Sequence, residues 1–109
     1  MYAKTENFTT DQQELARFAK LLAHPARVAI LEFLAKQQSC ISGDISGELP
    51  LSRTTVSQHL QELKNNDLIH GEISGQNVCY CINWKTYNRF QKLISKFFDK
   101  VIQSKQQCC

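Results

Sequence analysis

Five cysteines, Cys40, Cys79, Cys81, Cys108 and Cys109, stand in a chain of 109 residues. Thiolates are both soft ligands and redox-active nucleophiles, so their spacing is the first place to look for chemistry. Cys79 and Cys81 lie two apart in Val78-Cys79-Tyr80-Cys81-Ile82, an alternating run that reads as a strand. Side chains alternate across a strand, so both thiols leave from one face and Val78, Tyr80 and Ile82 take the core side. An outward dithiol of this kind suits As(III), Sb(III), Cu(I) or another thiophilic ion over hard cations. The adjacent Cys108 and Cys109, in a tail of residues 106–109, are placed to fold over and add a third thiolate. The same thiols read equally as redox groups, with Cys40 as a small core residue. An odd cysteine count argues against a disulfide framework and for free thiols in a reducing compartment.

A second group has no metal-binding character at all. Ser52 is a good helix N-cap, and Val56, Leu60 and Leu63 mark the buried stripe of a helix over about 53–66. Its opposite face carries Arg53, Thr54, Ser57, Gln58 and Gln61. Arg53 suits a guanine edge or a phosphate, and the short polar side chains suit backbone or base edges. The helix N-terminus itself favours a phosphate. Thr55 and His59 on this helix join the candidate DNA-contacting residues, and His59 reads equally as a structural, hydrogen-bonding histidine beside Leu60. His24 reads as a helix-start or packing residue.

Other elements must hold these groups. Residues 1–9 read as a flexible arm, 10–105 as one domain, and 106–109 as the cysteine-bearing tail. Thr10 reads as the cap of a helix over about 11–22, with Leu15, Phe18, Ala19 and Leu22 at helical spacing. His24-Pro25 breaks it and starts a second helix over about 25–37, apolar around much of its circumference. A short third helix over about 41–48 carries Ile41, Ile45 and Leu49 and is closed by Pro50. With the helix at Ser52 it makes a helix-turn-helix. After Asp67 the period changes to two, giving strands over about 68–73 and 78–82 around Ser74-Gly75-Gln76-Asn77. Gln76 and Asn77, at the hairpin tip, either touch DNA or serve the turn. The last helix, about 84–105, repeats Tyr87, Phe90, Ile94, Phe97 and Val101 in steps of three and four. Its apolar face is wider than three short helices can cover, which calls for a second copy of the chain. The interface expected from this pattern comprises Leu15, Phe18, Phe90, Ile94, Phe97 and Val101.

The fold class is therefore mainly α with a small β-hairpin, a winged helix-turn-helix of order α-α-α-α-β-β-α, acting as a homodimer. In two stretches the residues also resemble the ArsR/SmtB repressors. They are Leu21-Leu22-Ala23-His24-Pro25-Ala26-Arg27-Val28-Ala29-Ile30-Leu31 and Leu51-Ser52-Arg53-Thr54-Thr55-Val56-Ser57-Gln58-His59-Leu60. Asp67-Leu68-Ile69 fits as well, and the likeness covers about residues 10–103. It implies a homodimer on double-stranded operator DNA that leaves when a metal or metalloid ion binds. The family's ligand sets do not carry over with it. Arsenic-responsive members have a Cys-x-Cys-Asp-Leu box, and anchoring it on Asp44-Ile45 puts its cysteines at Ile41 and Gly43. The other familiar site uses Asp and His on the last helix, where this chain has Asp99 and no His.

Composition sets the outer limits. Apolar residues are 42% and charged ones 21%, which excludes wholesale disorder. No apolar run is long enough for a membrane span, and the polar start from Met1 to Asn7 is unlike a secretory signal, so the expected location is cytoplasmic. The net charge of +3 is uneven. Residues 1–50 hold five basic and six acidic side chains, whereas residues 51–109 hold eight and four, as a polyanionic partner favours. No catalytic triad or Gly-rich phosphate loop is present, so the chain does not read as an enzyme and requires no cofactor. Two rivals keep the same fold: a thiol redox-sensing repressor, and a winged-helix protein-interaction module. Arg53 and the polar face argue against the second.

Overall fold

Thr9, one residue before the expected cap, starts the first helix, α1 (Thr10–Leu21). Its hydroxyl accepts from the Gln12 amide at 3.0 Å, and the Gln12 side chain accepts from the Thr9 amide at 2.9 Å. This reciprocal box occupies two N–H groups that a helix start otherwise leaves unpaired. Pro25 opens α2 (Pro25–Lys36), with His24 as its N-cap. The computed structural model describes residues 7–37, 41–42, 49–74 and 77–105.

Ile41 and Ser42 correct an expectation. They form a two-residue strand, β1 (Ile41–Ser42), where a helix over about 41–48 was read. The rest of that helix, including Ile45, lies outside the described residues. Next come α3 (Arg53–Asn65), β2 (Ile69–Ser74), β3 (Asn77–Ile82) and α4 (Trp84–Gln103). β2 and β3 pair antiparallel from Ile69 opposite Ile82 to Ser74 opposite Asn77, so the hairpin is longer than the alternation showed. β1 adds to the other edge of β3, Ser42 facing Cys79, and the sheet runs β1-β3-β2.

The chain leaves α3 through a left-handed residue. Asp67 has φ 63°, a region aspartate tolerates better than most side chains. Leu68 N–H then donates to the Leu63 carbonyl at 3.0 Å and Asp67 N–H to that of Lys64 at 3.1 Å. These are the paired bonds of a Schellman end, and they deliver Leu68 directly into the core. At Gly71 in β2 a Cβ would approach Lys64 Cε at 3.2 Å, so a side chain there displaces the flexible end of that lysine.

The core gathers Phe18 and Leu21 of α1, Ile30, Leu31 and Leu34 of α2, and Val56, Leu60 and Leu63 of α3. Leu68, Ile69, Ile82 and Phe90 complete it. α1 and α4 run antiparallel, since Asp11 reaches Lys96 at 3.3 Å and Glu14 reaches Arg89 at 2.6 Å. α4 therefore continues past the start of α1. There Phe97, Phe98, Val101 and Ile102 are exposed, at 46% to 62%. The interface read from the sequence divides accordingly. Phe18 and Phe90 stack at 4.9 Å inside one chain and are spent on its own core. Leu15 and Ile94 pack partly against that core, and Phe97 and Val101 stay open. Among the described residues, no helix is long and apolar enough to cross a membrane.

Candidate nucleic-acid interface

α3 is built to show one polar face. Ser52, extended at φ −71° and ψ 157°, caps it by accepting from the Thr55 amide at 3.2 Å. The Ser52 hydroxyl also donates to Thr55 Oγ1 at 2.9 Å, so the Thr55 side chain serves the cap. Val56, Leu60 and Leu63 anchor the inner stripe in the core. Opposite them, Arg53, Thr54, Ser57 and Gln58 are exposed over the first turns. Gln61 extends the stripe and donates to Asn65 Oδ1 at 2.8 Å. Hydroxyl, amide and guanidinium groups on the outside of a capped helix N-terminus match the chemistry of phosphates and base edges.

His59 sits differently from the rest of the predicted set. It is half-buried against the start of α2, and its Nδ1 accepts from Arg27 Nε at 3.1 Å. The His24 ring lies 5.6 Å from it. His24 is the N-cap of α2 without a side-chain capping bond, in keeping with a helix-start and packing residue. Burial holds the His59 pKa below its ordinary value, and the nearby Arg27 and His24 push it the same way. Arg27 went unassigned in the sequence. Its guanidinium also donates to the Leu21 carbonyl at 3.4 Å, so one side chain links the end of α1, α2 and α3. Arginine two residues after His24-Pro25 was the available signal, but its partner lies 32 positions away.

At the wing, Gln76 lies outside the described residues, and Asn77 opens β3 opposite Ser74. Cys79 and Cys81 share β3 with half-buried Tyr80 and buried Ile82 between and after them, as alternation requires. The pair is not two free thiols, however. Cys81 is free, whereas Cys79 is disulfide-bonded, which corrects the expectation of free thiols throughout. Cys108 and Cys109 lie outside the described residues. Among the described residues, no three His, Cys, Asp or Glu side chains come together as a metal site.

Known proteins share this arrangement. The family model for the bacterial regulatory protein, arsR family, matches residues 24–70, from the α2 cap through α3 into β2. A transcriptional repressor SmtB homolog of Synechocystis sp. is 32% identical over 78 residues, 71% of this chain and 58% of that protein. An arsenical resistance operon repressor of Staphylococcus xylosus is 28% identical over 96 residues, covering 88% of each chain. The chain resembles the arsR-family regulators through α2 and α3. The fold agrees. The homodimeric winged helix-turn-helix domain of Mycobacterium bovis Mb0332 superposes with a TM-score of 0.61 over the whole of both chains, at 22% identity. The chain spans little more than half of its cyanobacterial relative and most of its staphylococcal one.

Proposed function

We propose that this chain is a homodimeric arsR-family repressor that sets α3 in successive major grooves of an inverted-repeat operator. The observation that carries this is the exposed row of Arg53, Thr54, Ser57 and Gln58 on a helix otherwise locked into the core. The open apolar end of α4 supplies a surface for the second subunit. The Mycobacterium bovis neighbour is homodimeric, which supports the same assembly. Two-fold symmetry places the half-sites about one helical turn, roughly 10–10.5 bp, or a multiple of it apart. Arg53 is the specificity contact, Gln58, Ser57 and Thr54 extend the reading face, and the hairpin tip at Gln76 and Asn77 follows the backbone. Arg53→Ala is expected to cost about 1–3 kcal/mol on the preferred duplex and to relax selection at one base pair. Binding isotherms on that duplex and on random DNA check this. An equal loss on both makes Arg53 a phosphate clamp, and no loss on either removes it from the site.

Release works through the thiol of Cys79 on β3, while Cys81 stays free. The disulfide at Cys79 favours thiol oxidation over ion binding as the signal. In that reaction two thiols give up two protons and two electrons as a peroxide is reduced to two waters. The operator-free geometry must favour the disulfide more than the bound geometry does, or nothing shifts. Peroxide is expected to weaken DNA binding by the reduced protein about 5–150-fold, the range of ordinary allosteric coupling. Cys79→Ser should remain bound. The rival outcome is release of the reduced wild type by As(III) or Sb(III), lost in Cys79→Ser/Cys81→Ser. That result would replace oxidation with a thiophilic ion, in line with the name of the staphylococcal relative.

A further inference from the structure

We propose that Arg27 is a positioning residue for α3, acting through His59, so that protonation of His59 unseats the helix and weakens DNA binding. The inference rests on the reading of α3 as the DNA-contacting helix. Guanidinium groups only donate, so His59 Nδ1, 3.1 Å from Arg27 Nε, must be the acceptor. The neutral ring therefore carries its proton on Nε2. A proton on Nδ1 sets N–H against N–H and breaks the bond. It also sets a positive ring beside the Arg27 guanidinium, with the His24 ring 5.6 Å away.

Among the described residues, no acidic group is paired with the joint. Arg27 and His24 face the ring from α2 and its cap. Glu62, the acidic residue of α3, is turned toward Asn66. From β2, the other element packed on α3, His70 is exposed. Burial, Arg27 and His24 all hold the His59 pKa down, in that order. The sign follows. The joint is intact above the ordinary histidine pKa of about 6.5 and is lost as pH falls from there through the lowered folded value. Arg27 also holds the Leu21 carbonyl, so opening this joint removes a polar tie from α3 to α2 and, through Arg27, to the end of α1. Ser57 and Gln58 directly precede His59, so movement there displaces the polar face.

The expected direction opposes simple electrostatics. Acid makes a protein more positive, which by itself tightens binding to a polyanion. The test uses the full chain and the duplex that it enriches from a randomised pool, with affinity followed at constant ionic strength. Between about pH 7.5 and about pH 5.5 the wild type should lose affinity several-fold, less than about tenfold, since one proton on a ring held below 6.5 shifts binding no further over that range. His59→Gln keeps an acceptor for Arg27 without a titrating ring, and should change by less than about twofold over the same range. Arg27→Gln should be about tenfold weaker at the upper pH already, with little further change. Nitrogen resonances of the His59 ring should report the Nε2-protonated neutral form. A wild-type affinity that is flat or rises toward acid overturns the proposal. So does a His59→Gln profile that tracks the wild type, or a neutral ring protonated on Nδ1. If Arg27→Gln fails to fold by circular dichroism, the His59→Gln comparison and the ring resonances decide. If the chain enriches no duplex, the DNA-contact reading of α3 falls instead, and the tautomer still judges the joint.

Discussion

Phe97→Glu combined with Val101→Glu is expected to yield a folded monomer that no longer holds an inverted repeat. Both side chains are about half exposed in the single chain, at 46% and 54%, so neither substitution disturbs the core. In a dimer they are buried against the partner, where an unpaired carboxylate costs several kcal/mol. Like charges facing across a two-fold axis add to that cost. Linking two half-site contacts is worth on the order of 10²–10⁴ in affinity, and the monomer forfeits it. Sedimentation equilibrium and operator titration read the two consequences separately. A double variant that stays dimeric places the interface elsewhere on the chain, and one that is monomeric with unchanged affinity removes the need for a dimer.

The second large effect is on folding. Phe18→Ala should cost about 3–5 kcal/mol, the range for emptying a buried aromatic site, against a total stability of about 5–15 kcal/mol. Phe18 is 1% exposed and meets Phe90 at 4.9 Å. The Arg17 guanidinium lies 4.5 Å over the same ring and loses its aromatic partner as well. Because Phe18 and Phe90 join α1 to α4, the substitution loosens the platform from which the exposed apolar end of α4 projects. Urea denaturation compares it with Phe97→Ala in a monomeric background, where only a surface contact is removed. The contrast between the two is the point. A loss below about 1 kcal/mol for Phe18→Ala would mean that the α1–α4 contact carries little of the fold.

These two phenylalanines also mark how far the sequence reaches. Both stand on apolar stripes at helical spacing, and spacing identifies a buried face without saying what buries it. Phe18 and Phe90 are satisfied within the chain, whereas Phe97 and Val101 lie beyond the reach of α1. Only the antiparallel overlap of α1 and α4, set by side chains 75 and 85 positions apart, draws that line. Where the signal is local, the sequence was sufficient. Ser52 before a 3.6-residue stripe placed α3 and its polar face, His24-Pro25 placed the start of α2, and alternation placed the hairpin and the side to which Cys79 and Cys81 belong. The non-local features were silent. β1 has two residues, too few for any period, and exists because β3 offers an edge for it to pair with. The Arg27–His59 bond closes across 32 residues, and nothing adjacent to either residue announces the other. Cys79 and Cys81 look equivalent along the strand, yet one is oxidised and the other free. Periodicity and capping are properties of neighbouring residues and are written in the chain. Pairing between distant residues depends on how the elements pack, and only the tertiary structure decides it.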